Sequence, residues 1–221
     1  VPAVADRYAG IAALVPPVWR SLPWGMLGAA AGLGPALGAV ARLTPGGYGT
    51  AFAAVLLRVA AVALALGLAF LLDDPARHTT AAVPTRRVVR SGVRMVLAAP
   101  FAALSWTAAL LLVPARIRPP AGDLTLEAAA LAALALTGAA SALRFTDRPR
   151  PGAAVAAALL MGTLLATLLP ERGSLLVAVG APGWAAAHQR WAALLMLTLL
   201  VGAALLPEPV RRHRVTARAH R

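Results

Sequence analysis

Apolar residues along this chain neither alternate nor recur at a simple helical period. They run in blocks of about twenty, and the stretches between the blocks hold nearly all of the charge. The blocks cover roughly Pro23–Val40, Thr50–Leu72, Met95–Val113, Leu124–Leu143, Gly152–Leu169 and Trp191–Leu206. About 20 apolar residues, rising about 1.5 Å each, cross a bilayer core. The pattern therefore predicts an all-α polytopic membrane protein with six transmembrane helices in a single domain, 1–221.

Two shorter stretches add to the picture. Pro2 to Arg20 is mildly amphipathic and leads to Trp19 and Trp24, which suit the membrane interface; it reads as a surface helix entering the first span. Between Pro170 and Arg190, the apolar run Ser174 to Val179 precedes Gly180-Ala181-Pro182-Gly183. That run is too short to cross and reads as a segment that dips in and returns, which lipid permits only where protein shields its backbone.

Composition agrees. Hydrophobic residues make up 60% of the 221 positions and charged residues 13%, against roughly a quarter charged in soluble domains. The mean hydropathy is +0.75. The chain has no Lys, so it holds neither a P-loop nor a Schiff-base lysine. It has no Cys, so thiol chemistry and thiolate metal sites are excluded. Its bias toward Ala, Arg, Gly and Pro is that of a GC-rich bacterial genome, and no secretory signal is evident.

The net charge of +13 suggests nucleic acid only until the arginines are placed. With the N-terminus inside, fifteen arginines fall in cytoplasmic segments, five fall outside, and Arg58 falls within the second span. That asymmetry sets orientation: both termini in the cytosol, in a bacterial cytoplasmic membrane. The basic excess then serves topology and anionic lipid heads, and nucleic acid is not an expected partner.

Candidate chemistry is sparse. His78, His188, His213 and His220 fall outside the predicted spans, so haem ligation is not expected and His188 reads as an interfacial residue. Glu127, about a turn inside span four, is the acid nearest to a proton-carrying position, and a solvated group near the outer helix end is the plainer reading. Arg58 either meets an anionic group in the bundle or snorkels to the outer headgroups, and snorkelling is the plainer reading. Trp106 sits mid-span and reads as packing, with the substrate path as its alternative. Gly28, Gly32, Gly34 and Gly38 form two small-residue pairs that let helices approach, within the bundle or across a dimer seam. Pro35 and Pro100 would kink their spans. Asp73-Asp74 looks like half of a metal-binding alcohol phosphotransferase motif, but the later Asp pair is missing, which disfavours a lipid synthase. No catalytic residue, metal or cofactor is expected on the chain.

The loop from Asp73 to Arg94 offers Asp73, Asp74, Arg77, Thr80, Pro84, Arg86 and Arg87 around a short helix, capped by Thr and stopped by Pro84. It is a candidate docking element, or else a basic loop that fixes topology.

The segments Leu71-Leu72-Asp73-Asp74-Pro75-Ala76, Thr80-Ala81-Ala82-Val83-Pro84-Thr85 and Trp184-Ala185-Ala186-Ala187-His188-Gln189-Arg190-Trp191 are similar to permease-like proteins of actinomycete bacteria. With the surface helix, six spans, cytoplasmic helix and external re-entrant stretch, the chain resembles the membrane subunit of an ABC-2-type transporter. The resemblance implies a dimer of membrane subunits on two separate ATPase subunits, which hold ATP and Mg. It implies that Asp73 to Arg87 receives the ATPase movement, that Pro23–Val40 and Gly152–Leu169 form the dimer seam, and that Pro170–Arg190 closes an outer gate. The expected cargo is apolar or amphipathic, along a path including Arg58, Trp106 and Glu127. Two other readings remain: a membrane anchor or regulator without cargo, and an intramembrane enzyme acting on lipid through Asp123, Glu127 and Arg58.

Overall fold

A computed structural model describes residues 15–43, 49–73, 87–146, 150–170 and 173–205. These residues build helices α1 (Trp24–Leu43), α2 (Thr50–Ala69), α3 (Arg87–Leu112), α4 (Ala121–Phe145), α5 (Gly152–Thr167) and α6 (Trp184–Leu205), with a 3-10 turn at Ala115–Ile117. No strand occurs among the described residues. Residues 15–20 are also helical, and the remainder of the expected surface helix lies outside the described residues. So do Asp74, Arg77, Thr80, Pro84 and Arg86 of the expected docking loop; Arg87 opens α3.

Five helices are long and apolar enough to cross a membrane. The sixth, α5, has 16 residues, or about 24 Å, and falls short of a core about 30 Å thick. Side chains facing away from the bundle are apolar: Val96, Leu104, Leu111, Leu164, Leu197 and Leu200 are all more than half exposed. In water such a belt would far exceed the largest apolar patch of a typical monomer. The chain is a polytopic helical membrane protein.

α2 is the central rod, packed on α1, α3, α4 and α5. Its buried positions are Ala53, Ala54, Leu57, Ala60, Ala61, Ala63, Leu64, Ala65, Gly67, Leu68 and Ala69. Small residues on several sides of one helix let several neighbours approach it closely. At Gly67 an added Cβ would stand 2.5 Å from the Ala30 Cβ of α1. α1 also packs on α3, and α4 packs on α6.

The small-residue pairs of α1 divide. An added Cβ at Gly38 would meet the Ala109 carbonyl of α3 at 2.5 Å, and at Gly34 the Ser105 Oγ at 3.1 Å. Ser105 Oγ donates to the Ala31 carbonyl at 2.7 Å and fixes that contact. Gly28 and Gly32 have open space where a Cβ would stand. α1 and α3 both continue through their prolines.

The buried residues of α5, Gly152 and Val155, lie at its start, and Ala156 and Leu159 pack more loosely against the core. Its first amide, Gly152 N–H, donates to Asp73 Oδ1 at 2.8 Å. Arg94 donates to the Asp73 carbonyl at 3.0 Å and to Ser21 Oγ at 3.3 Å, tying the ends of α2 and α3 to the segment before α1. Burial pushes the Asp73 carboxyl above its ordinary 3.8, while the Gly152 amide and the positive charges of Arg150 and Arg94 pull it back.

Candidate functional site

The bundle's charged centre forms where α2, α4 and α6 begin. Arg58 is eight residues into α2, Glu127 six into α4 and His188 four into α6, or about 12, 9 and 6 Å from their N-terminal ends. Arg58 is the one charged residue of α2, and the three side chains are brought to one level.

Arg58 Nε and Nη2 donate to Glu127 Oε2 and Oε1, both at 2.8 Å. This paired-fork geometry is the strongest arrangement open to an arginine and a carboxylate. Arg58 Nη1 donates to the Val177 carbonyl at 3.0 Å. The ring of Trp184 lies 5.6 Å from the guanidinium carbon, within reach of a cation–π contact. Trp184 is itself anchored, since its indole N–H donates to Asp123 Oδ2 at 2.7 Å.

His188 completes the cluster. Its Nδ1 lies 2.9 Å from the Trp184 carbonyl, so Nδ1 carries a hydrogen. Its Nε2 lies 3.1 Å from Glu127 Oε1 but is not aligned as a hydrogen bond, and it is buried without an aligned partner. Oε1 of Glu127 thus lies between His188 Nε2 and Arg58 Nη2. Glu127 is 1% and His188 7% exposed.

Three expectations change here. Arg58 does not snorkel, because a carboxylate at matching depth offers two charge-assisted bonds without leaving the bundle. Glu127 is not a solvated helix-end residue. His188 lies within α6 rather than ahead of it, because α6 begins at Trp184, about two turns before the expected Trp191. The preceding apolar stretch packs against the bundle through Leu175 and Leu176. Trp191 donates to the Leu175 carbonyl at 2.9 Å and Arg190 to the Ser174 carbonyl at 2.8 Å. These bonds tie the irregular backbone to the start of α6.

Beside the cluster lies a chamber of about 1150 Å³, walled by α2, α4, α5, α6 and residues 175–179. Its lining is apolar along nearly its whole length, including Val55, Val59, Leu131, Leu159 and Leu194; Arg58 and Glu127 are the charged residues among those lining it. Along α5 it runs from Ala154 to Thr167, about 20 Å. The chamber is only partly enclosed, and α5 forms one of its walls along most of the helix. Drug-sized ligands occupy pockets of about 300–1,000 Å³, mostly apolar with a few placed polar groups.

Of the expected path residues, Arg58 and Glu127 line the chamber and Trp106 does not. Trp106 is buried between α3 and α4, its indole N–H donating to Thr125 Oγ1 at 3.0 Å. Asp123 joins the site indirectly, through Trp184. Among the described residues, no group of three His, Cys, Asp or Glu is placed to hold a metal ion.

Sequence reasoning missed His188, Trp184 and the Val177 carbonyl. One signal was available for the main contact. Arg58 and Glu127 are opposite charges in separate apolar helices, both counted from the same membrane face, and such charges pair. No protein-family model, curated protein or solved structure matches the chain.

Proposed function

We propose that this chain is the membrane-spanning subunit of an ATP-driven transporter, and that the chamber beside Arg58 and Glu127 holds its apolar or amphipathic cargo. The observation that carries the cargo site is the chamber itself: long, apolar, partly open and polar at one level. Its opening gives a molecule dissolved in the bilayer a lateral way in. α5 acts as a sixth span that is short and loosely held, as a moving wall needs to be. Both termini lie in the cytosol by the distribution of Arg.

The ATP-driven part rests on the resemblance in topology and loop order, with Asp73 to Arg87 as the docking element for a separate ATPase and a second membrane subunit completing the pair. Transport requires that cargo bind the inward-open and outward-open states with different affinity. The test is co-purification of the full chain with a P-loop ATPase identified by mass spectrometry, followed by ATP-dependent movement of a fluorescent amphiphile in proteoliposomes. Replacing Asp74-Pro75-Ala76-Arg77 should abolish both association and movement. An ATPase that binds equally well after that replacement would overturn the docking assignment.

A second reading draws on one specific observation. A histidine, a carboxylate and a guanidinium meet beside the apolar chamber, with His188 Nε2 3.1 Å from Glu127 Oε1. That combination would serve an intramembrane enzyme acting on lipid. Lipid turnover by the purified chain without ATP, lost in H188F, would select it over transport.

A further inference from the structure

The chamber's polar end is asymmetric. Glu127 lies behind Arg58: its side chain is 2% exposed against 16% for the guanidinium. A molecule in the chamber therefore meets the cation first. Both carboxylate oxygens are already occupied, Oε2 by Arg58 Nε and Oε1 by Arg58 Nη2, with His188 Nε2 at 3.1 Å. A cationic head meets the guanidinium's positive charge before it meets the enclosed carboxylate.

Arg58 is differently placed. A guanidinium has five N–H donors. Two go to Glu127 and one to the Val177 carbonyl, which leaves one on Nη1 and one on Nη2. An oxyanion can take these without breaking the ion pair, and Glu127 then shares the guanidinium with the ligand. The Trp184 ring and the apolar lining keep water from competing, which strengthens such a contact.

We infer that the chamber selects amphiphiles with an anionic head, a carboxylate or a phosphate, seated on Arg58 with the apolar chain extended along α5. This inference rests on the reading of the chamber as a binding site for amphiphiles, and goes beyond it in assigning the head-group charge. The charge balance implies a consequence for Glu127. Removing its negative charge leaves the guanidinium's charge uncompensated, so E127Q should bind anionic amphiphiles more tightly than the unaltered chain.

The experiment uses the full chain in nanodiscs of zwitterionic lipid. Four chain-brominated amphiphiles with one common dodecyl tail are titrated: a carboxylate, a phosphate monoester, a neutral maltoside and a trimethylammonium. Bromine quenches Trp191, which lines the chamber, and W191F identifies the part of the signal that arises there. The carboxylate, the phosphate or both should bind at least about tenfold tighter than the maltoside, as expected for hydrogen bonds to a charged group, and the trimethylammonium should bind most weakly. The ratio between the two anions assigns the head-group chemistry. E127Q should raise anion affinity about tenfold by the same reasoning. The double variant R58Q/E127Q, which leaves no charge unpaired, should erase the preference while changing maltoside affinity by less than about twofold.

Equal binding of anionic and neutral probes, tighter binding of the cation, or a preference that survives in the double variant would each overturn the anion assignment and leave the binding chamber standing. Failure of all four probes to quench saturably would overturn the chamber reading as well. If the double variant does not fold, the ranking of probes on the unaltered chain decides alone.

Discussion

Arg58 and Glu127 meet through both carboxylate oxygens at 2.8 Å, from adjacent helices that share little else polar at that level. Each charge alone would be costly in a bilayer, and each is tolerable because of the other. The pair binds α2 to α4, and through Val177 and His188 it also fixes the irregular stretch before α6 and α6 itself. The same contact holds the bundle and furnishes the chamber's polar end.

Breaking the pair from one side should be costly. R58A or E127A leaves a buried charge without its partner, and a loss of about 3–5 kcal/mol is expected. The double substitution R58L/E127L removes both charges and should recover most of that loss. Thermal or denaturant unfolding in a fixed detergent gives the comparison. Additive losses in the double variant would show that the two residues do not act as a pair.

Close helix approach gives a second prediction. G38A places a Cβ against the backbone of α3, with no flexible side chain to move aside, so a loss of about 1–3 kcal/mol is expected. G28A meets open space and should be neutral or mildly stabilising, since alanine favours the helix by up to about 1 kcal/mol. Equal effects at the two positions would contradict the packing of α1 on α3.

Asp73 sets a pH dependence at the other end of the bundle. Burial raises its carboxyl pKa above 3.8 despite the Gly152 amide, Arg150 and Arg94. A folded-state value above the unfolded one means that the folded chain holds this proton more tightly. The contribution of Asp73 to stability is therefore greatest at low pH and falls as pH rises from 3.8 through the raised value. D73N keeps an oxygen for the Gly152 amide and has no charge to bury. The difference in melting temperature between the unaltered chain and D73N should shift in favour of D73N as pH rises from 3 to 7. A shift in the opposite direction would mean that the nearby arginines outweigh burial.

Much of the architecture was legible in the residues. Blocks such as Thr50–Leu72 and Leu124–Leu143 announced α2 and α4, because lipid leaves the backbone no partner but its own helix. Gly38 was legible as a place of close approach, but the sequence could not show that Gly28 and Gly32 face away from α3. The site was half legible. Arg58 and Glu127 stood out as charges in apolar runs, but a snorkelling arginine and a solvated acid were the plainer readings of each alone, and the depth shared by the two was the only sign of their pairing. His188 was hidden because Ala185 to Ala187 and Arg190 disguised the first two turns of α6 as loop. The Val177 carbonyl has no side-chain signature at all. The chamber arises from how weakly α5 is held, a property of packing along a uniformly apolar helix that carries no periodic signal.

The most direct test of the account uses the absence of cysteine. T163C places a near-isosteric thiol in the chamber wall, and L197C places one on the outward face of α6. Both are labelled in nanodiscs with a membrane-soluble maleimide, with and without the dodecyl carboxylate and the dodecyl phosphate. Protection of T163C that saturates with at least one of these amphiphiles, while L197C reacts at an unchanged rate, is the predicted result. Equal protection at both positions, or at neither, would contradict a binding chamber beside Arg58 and Glu127.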